Sequence, residues 1–242
     1  LKAWFWTKWL KENANDINTI MSYNYDTLLE KVLDLALLGV VHASTRQNFI
    51  FEKDVFNPSD PLVYVKEKST YKKVIHVAKP HGSSNFTGWG RIETEKDGII
   101  QSIYPMSSIV VRDSTEIKVL EKNIQDPTYT ADLVLPGEWS CWNATSNTQM
   151  SWVEHQKEIF VEDSQESNNL LIIGFGFGKP DQDEFKEMIN KIISFKRIVI
   201  VDPNPSTELL NYLNSKFNCE LITLNPLEKD FENKFNEINI TK

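Results

Sequence analysis

The chain has 242 residues, 40% of them hydrophobic, enough for one large packed domain or one domain with a small insertion. Its net charge is −8 and its lysines and arginines are scattered, which disfavours a nucleic-acid partner because phosphates call for a basic surface. No apolar run reaches membrane-spanning length and no secretory leader is visible, so no membrane partner is expected, while the sparse use of cysteine suits a reducing cytoplasm.

Residues 1–12 set Trp4, Phe5, Trp9 and Leu10 among lysines, an amphipathic helical pattern broken at Asn13–Asp16. The chain opens on Leu1 inside that pattern, so a preceding segment is expected. Ile17–Ser22 reads as a short apolar strand. Asp26 or Thr27 can cap the helix that follows, with Leu28, Leu29, Val32, Leu33, Leu35 and Leu38 as its apolar face. Gly39 is expected to end that helix, and Val40–Ala43 to form the next strand.

Residues 46–70 are polar and irregular, as in an insertion or a peripheral hairpin. Lys73–Ala78 is a strand running straight into Lys79-Pro80-His81-Gly82-Ser83-Ser84. Residues 87–151 are the natural place for a small subdomain, with strand pieces at 98–104 and 108–111 and a strand end at Leu133–Pro136.

Trp152–Val161 is helical, and Leu170–Ile173 is a buried strand that enters Gly174-Phe175-Gly176-Phe177-Gly178. Asp181 or Asp183 is expected to cap a helix through Ile193. Arg197–Val201 is a buried strand ending at Asp202-Pro203-Asn204, Thr207–Phe217 a helix, and Glu220–Leu224 a last strand. Short apolar strands alternating with helices predict a Rossmann-like α/β fold. Its sheet is mostly parallel with helices on both faces, and the insertion is small and irregular. Ligands of such sheets sit beyond the carboxyl ends of the strands, where all the distinctive polar motifs fall.

Ser22-Tyr23-Asn24-Tyr25-Asp26 places an amide and a carboxylate two residues apart at a strand-to-helix turn. They can face a pocket, or Asp26 can cap the helix and Asn24 satisfy the turn. His81 at a strand end, followed by Gly82, is well placed as a general base. His42 and His76 lie inside strand patterns, and His155 on a polar helix face.

Gly174 and Gly176 after a buried strand let the backbone approach a phosphate or a ribose, or make a tight turn. Asp202 suits a ribose hydroxyl, or the start of a turn before Pro203. No metal site is evident, since the histidines are dispersed and Cys141 and Cys219 are the only cysteines. Ser83 and Ser84 lack a Gly-x-Ser-x-Gly elbow and are not read as nucleophiles. The sequons at Asn85, Asn143 and Asn239 are ordinary chance matches.

Taken in order, Ser-Tyr-Asn-Tyr-Asp-Thr-Leu-Leu-Glu, Lys-Pro-His-Gly-Ser-Ser-Asn-Phe, Leu-Ile-Ile-Gly-Phe-Gly-Phe and Val-Asp-Pro-Asn-Pro resemble the sirtuin superfamily. The likeness is to its bacterial sirtuin-like NADase branch of anti-phage defence proteins, over roughly residues 17–226. It implies an NAD-binding domain across 1–242, incomplete at its N-terminus, because the family's first strand and diphosphate-binding glycine loop would precede Leu1.

The resemblance makes Asn24 and His81 the catalytic pair. Asn24 would hold the nicotinamide ribose and water, and His81 would act as base. Asp26 sits near the carboxamide, with Ser22, Tyr23, Gly82 and Ser83 beside them. Gly174, Phe175 and Gly176 line the adenosine side, with Asp202 and Asn204 at its ribose. NAD+ is then a substrate, no metal is required, and the activity implied is hydrolysis to nicotinamide and ADP-ribose. A homo-oligomer or larger multidomain assembly goes with it.

Pro80 departs from the family's apolar residue before the histidine, and the zinc-module cysteines of the deacylating sirtuins are missing. Water rather than acyl-lysine is thereby favoured as acceptor. An NAD-dependent protein deacylase and a non-catalytic NAD- or ADP-ribose-sensing module are the alternatives.

Overall fold

A computed structural model describes residues 4–42, 49–51, 72–94, 100–111, 129–133 and 147–241. The chain divides into two compact units, Leu1–Ala14 with Thr19–Phe160, and Asn15–Asn18 with Val161–Lys242.

In the first unit, helix α1 (Phe5–Glu12) buries Thr7 and Leu10 and ends at Asn13, whose backbone N–H and Nδ2 both donate to the Trp9 carbonyl. Strand β1 (Thr19–Met21) leads to helix α2 (Leu28–Leu35), then to β2 (Leu38–His42), β3 (Phe49–Phe51) and β4 (Lys73–Ala78). The first sheet has the order β1-β4-β2, and both pairings are parallel. The middle strand β4 carries the densest apolar run, Ile75, Val77 and Ala78, each fully buried.

Gly39 does not end α2. It lies in β2 opposite Val74, and Leu37 turns the chain with a left-handed φ of 63°. That conformation is ordinarily left to glycine. Here hydrogen bonds on both sides of Leu37 hold it, its N–H donating to Asp34 and its carbonyl accepting from Lys72. Leu38 consequently belongs to the strand rather than to the helical face, and Leu28 is exposed.

Strands β5 (Gly82–Thr94), β6 (Ile100–Val111) and β7 (Tyr129–Leu133) join β3 in a four-stranded sheet of order β3-β6-β5-β7. The two strand pieces expected at 98–104 and 108–111 are one strand, β6. A register shift between Gly88 and Gly90 lets β5 follow it past Pro105, as bulges do where a regular ladder cannot accept proline. The expected insertion at 46–70 lies outside the described residues except for β3.

Helix α3 (Asn147–Gln165) follows, and its Ile159 and Phe160 pack on Met21 and Ala78 at the ends of β1 and β4.

The second unit is built on β8 (Asn169–Ile173), β9 (Arg197–Val201) and β10 (Glu220–Leu224), parallel throughout in the order β10-β9-β8. Its central β9 buries Ile198, Val199, Ile200 and Val201. Three helices intervene or follow: α4 (Lys179–Asn190), α5 (Thr207–Lys216) and α6 (Phe231–Ile238).

Neither Asp181 nor Asp183 caps α4. Gly178 precedes it, and Pro180 sits in the first turn, where its missing N–H has no helical partner to lose. The helix stops at Asn190, short of the expected Ile193, which is 83% exposed. Ser206 caps α5 by accepting from the Leu209 N–H. The sequence reading passed over α6, which Phe231 and Phe235, four residues apart on one face, bury against the unit.

Among the described residues the protein is thus mixed α/β, with two parallel three-stranded sheets, one four-stranded sheet and six α-helices, consistent with the Rossmann-like arrangement expected. Among the described residues, no helix is long and apolar enough to cross a membrane.

Candidate functional site

Two motifs of the first unit meet because their strands are neighbours. Met21 pairs with Ala78, and the ladder continues one step further, the Ser22 N–H donating to the Ala78 carbonyl at 2.9 Å. The segments 22–26 and 79–82 therefore leave the sheet side by side, at the carboxyl ends of β1 and β4.

His81 is buried, 1% exposed. Its imidazole meets the Tyr23 ring edge-on, with centroids 5.1 Å apart, and the Tyr25 ring at 6.2 Å in a tilted arrangement. Asn24 lies between those two tyrosines and is exposed, as is Asp26. Its backbone N–H donates to Ser22 Oγ at 3.3 Å. The alternation Tyr23, Asn24, Tyr25, Asp26 thus divides the turn, with the rings packed on His81 and the two polar side chains exposed.

The Asp26 carboxylate is already engaged, accepting from the Leu28 N–H at 2.8 Å at the start of α2. That is the turn-closing role the sequence left open beside a ligand role. Gly82 opens β5, and the side chain of Ser83 lies outside the described set.

Sequence reasoning missed the residues that hold these segments together. Lys79 is fully buried, and its Nζ donates to Glu30 Oε1 at 2.9 Å and to the Asp26 carbonyl. Glu30, on α2, is 3% exposed. Gln156 of α3, also fully buried, clamps the Lys79 backbone from the other side. Its Oε1 accepts from the Lys79 N–H at 2.6 Å and its Nε2 donates to the Lys79 carbonyl at 3.2 Å. Glu30 and Lys79 were both inside the quoted motifs. Charge was the reason they were passed over, since lysine and glutamate are almost never fully buried unless paired.

The second unit presents its own set at the ends of β8 and β9. Gly174 has a φ of 58° and donates to the Val201 carbonyl at 3.0 Å. A Cβ added at Gly174 or at Gly176 would meet nothing within 4 Å, so both backbones border open space. Phe175 packs on Phe185 at 4.9 Å and on Phe177 at 6.0 Å, leaving it half-buried.

Asp202 Oδ1 accepts from the Asn204 N–H at 2.7 Å, which closes the turn around Pro203. Asn204 is exposed. Open glycine backbone beside a strand end, an aromatic face and a carboxylate on the adjacent strand suit the ribose and phosphate chemistry of a dinucleotide.

Among the described residues, no group of three or more His, Cys, Asp or Glu is gathered as a metal site would require. Among the described residues of this unit, three groups titrate above their ordinary values, the Lys234 ammonium through its hydrogen bonds to Glu228 and Asp230. Burial raises the Tyr212 hydroxyl and the Cys219 thiol.

No curated protein and no solved structure matches the chain. The family model of the SIR2-like domain matches residues 18–222, which takes in every motif described above. SIR2-like domains bind NAD+. The chain belongs to the SIR2-like domain family.

Proposed function

We propose that this protein hydrolyses NAD+ at its nicotinamide–ribose bond, giving nicotinamide and ADP-ribose. Family membership supports an NAD-related activity. The observation that supports the finer reading is the meeting of the Asn24 and His81 motifs, with the His81 imidazole packed against both tyrosines that flank Asn24 in the chain.

In the proposed reaction the C1′–N bond breaks and its electron pair passes to the pyridinium nitrogen, leaving neutral nicotinamide. Water adds to the resulting oxocarbenium-like carbon, and its proton passes to the His81 imidazole. Nicotinamide is already a good leaving group, so the protein mainly orients the ribose and supplies a base. Asn24 would hold the ribose and the water, with Asp26 toward the carboxamide. Within the second unit, Gly174, Phe175, Gly176, Asp202 and Asn204 are the proposed contacts to a ribose or phosphate. We further propose the role of a cytoplasmic effector in anti-phage defence, acting as an oligomer or within a larger assembly.

Asn24→Ala and His81→Asn test the reading, the latter keeping a polar side chain in a buried position. Nicotinamide release measured by chromatography should fall by roughly two orders of magnitude or more in each. Unimpaired cleavage in both variants rejects the assignment, and release that depends on an added acyl-peptide indicates a deacylase instead.

The near-complete burial of His81 favours a second reading, a module that senses NAD+ or ADP-ribose without cleaving it. Ligand binding by calorimetry with no turnover would select it.

A further inference from the structure

Lys79 and Glu30 form an ion pair out of contact with water, at 0% and 3% side-chain exposure. Its place in the fold is specific. Lys79 directly follows the central strand β4 and stands two residues before His81, while Glu30 lies in the first turn of α2, directly after the Asn24–Asp26 turn.

A second bond completes the link, from Lys79 Nζ to the Asp26 carbonyl, so one ammonium group joins a backbone atom of the Asn24 turn to the His81 loop. The pair is not built to a stability optimum. Glu30 Oε2 is buried with no hydrogen-bond partner among the described residues, and burying an incompletely satisfied carboxylate costs free energy. Packed apolar side chains of similar volume stabilise a core at least as well as a buried ion pair. Bulk stability therefore does not account for it, whereas directional bonds between two loops do.

We infer that Lys79 is a positioning residue. Its ammonium, held by Glu30, sets the spacing between Asn24 and His81, and the Gln156 amide fixes the Lys79 backbone so that the spacing is carried from the sheet to the imidazole. The inference rests on the reading of Asn24 and His81 as the catalytic pair, and it concerns their geometry rather than their chemistry. Misplacement by about 1 Å can cost roughly a hundredfold in rate.

The test compares Lys79→Met with the double variant Lys79→Met/Glu30→Leu. Lys79→Met should lower the melting temperature, since it strands a buried carboxylate. It should also reduce kcat for nicotinamide release about a hundredfold, with KM for NAD+ within about threefold. Amide hydrogen exchange should quicken over residues 24–30 and 79–83.

The double variant should regain the melting temperature, because no charge is left buried alone, while kcat stays low and exchange stays fast. Recovery of kcat together with stability would overturn the inference, and so would unchanged exchange in Lys79→Met. If the unmodified protein releases no nicotinamide, the proposed hydrolysis fails, while the exchange comparison still decides the positioning role.

Discussion

The Tyr23 ring meets the His81 imidazole edge-on at 5.1 Å and 66°, a T-shaped contact made across two strands that are neighbours in the sheet but more than fifty residues apart in the chain. Edge-to-face pairs contribute about 0.5–1.5 kcal/mol beyond the area they bury. Tyr23→Phe keeps the ring and is expected to preserve stability within about 1 kcal/mol. Tyr23→Ala removes it, and is expected to destabilise by about 1–3 kcal/mol and to lower nicotinamide release about tenfold or more. Urea unfolding and initial rates check the two outcomes, and equal activity in both variants would show that the ring does not orient His81.

Asp26 and Asp202 each close a turn by accepting the N–H two residues on, from Leu28 and Asn204. Asparagine offers the same acceptor without the charge. Asp26→Asn and Asp202→Asn are therefore expected to keep stability within about 1 kcal/mol, and the corresponding alanine variants to lose about 1 kcal/mol more through the unmade bond. If Asp202 binds a ribose, Asp202→Asn weakens NAD+ binding in titration calorimetry while thermal unfolding stays where it was. Undiminished affinity confines Asp202 to the turn.

Gly174 and Gly176 separate backbone strain from ligand contact. Gly174 has a φ of 58°, while a Cβ at either position meets open space. Gly174→Ala is expected to destabilise by about 1–2 kcal/mol on conformational grounds alone. Gly176→Ala is expected to stay within about 0.5 kcal/mol of the unmodified protein. A loss of NAD+ affinity in Gly176→Ala therefore reports a close approach of ligand to backbone. Denaturation and binding measured on the same preparations resolve the two effects.

Tyr212 links α5 to α4, its hydroxyl lying 3.2 Å from the Lys186 carbonyl and 3.0 Å from Asn190 Oδ1. Burial raises the ionisation of this hydroxyl above its ordinary value, so the folded chain keeps a proton that the unfolded chain gives up. That contribution is fully present below the ordinary tyrosine range and is lost as pH rises through the raised value. The stability advantage over Tyr212→Phe should accordingly hold steady through neutral pH and shrink on the alkaline side. A gap that widens with alkali in urea unfolding would contradict this.

The parts of the molecule that the sequence made legible share one property, an unbroken match between apolar pattern and element length. Lys73–Ala78 and Arg197–Val201 are central strands, and their apolar runs coincide with the observed strands end to end. Where local signals competed, the reading slipped. Gly39 looked like a helix stop, yet the reversal falls on Leu37, because hydrogen bonds to Asp34 and Lys72 hold it there. The continuity of β6 was hidden because Pro105 reads as a break, and only the register shift in β5 explains how it is passed. In the site, Asn24 and His81 could be singled out by type and position. That Tyr23 and Tyr25 would be the side chains to meet His81, and that Lys79 and Glu30 would be buried together, depends on which strands are neighbours. No local pattern encodes that.

Strand β4 is bonded on both flanks, to β1 and to β2, and its last residue stands three positions before His81. Side chains alternate faces along a strand, so loss of one residue within Lys73–Ala78 would turn every later side chain over or draw the His81 loop back by about 3.3 Å. An edge strand could relieve such a deletion by sliding, but a strand held on two sides has no free direction. Single-residue deletions in this segment should therefore abolish function more completely than any substitution at the same positions.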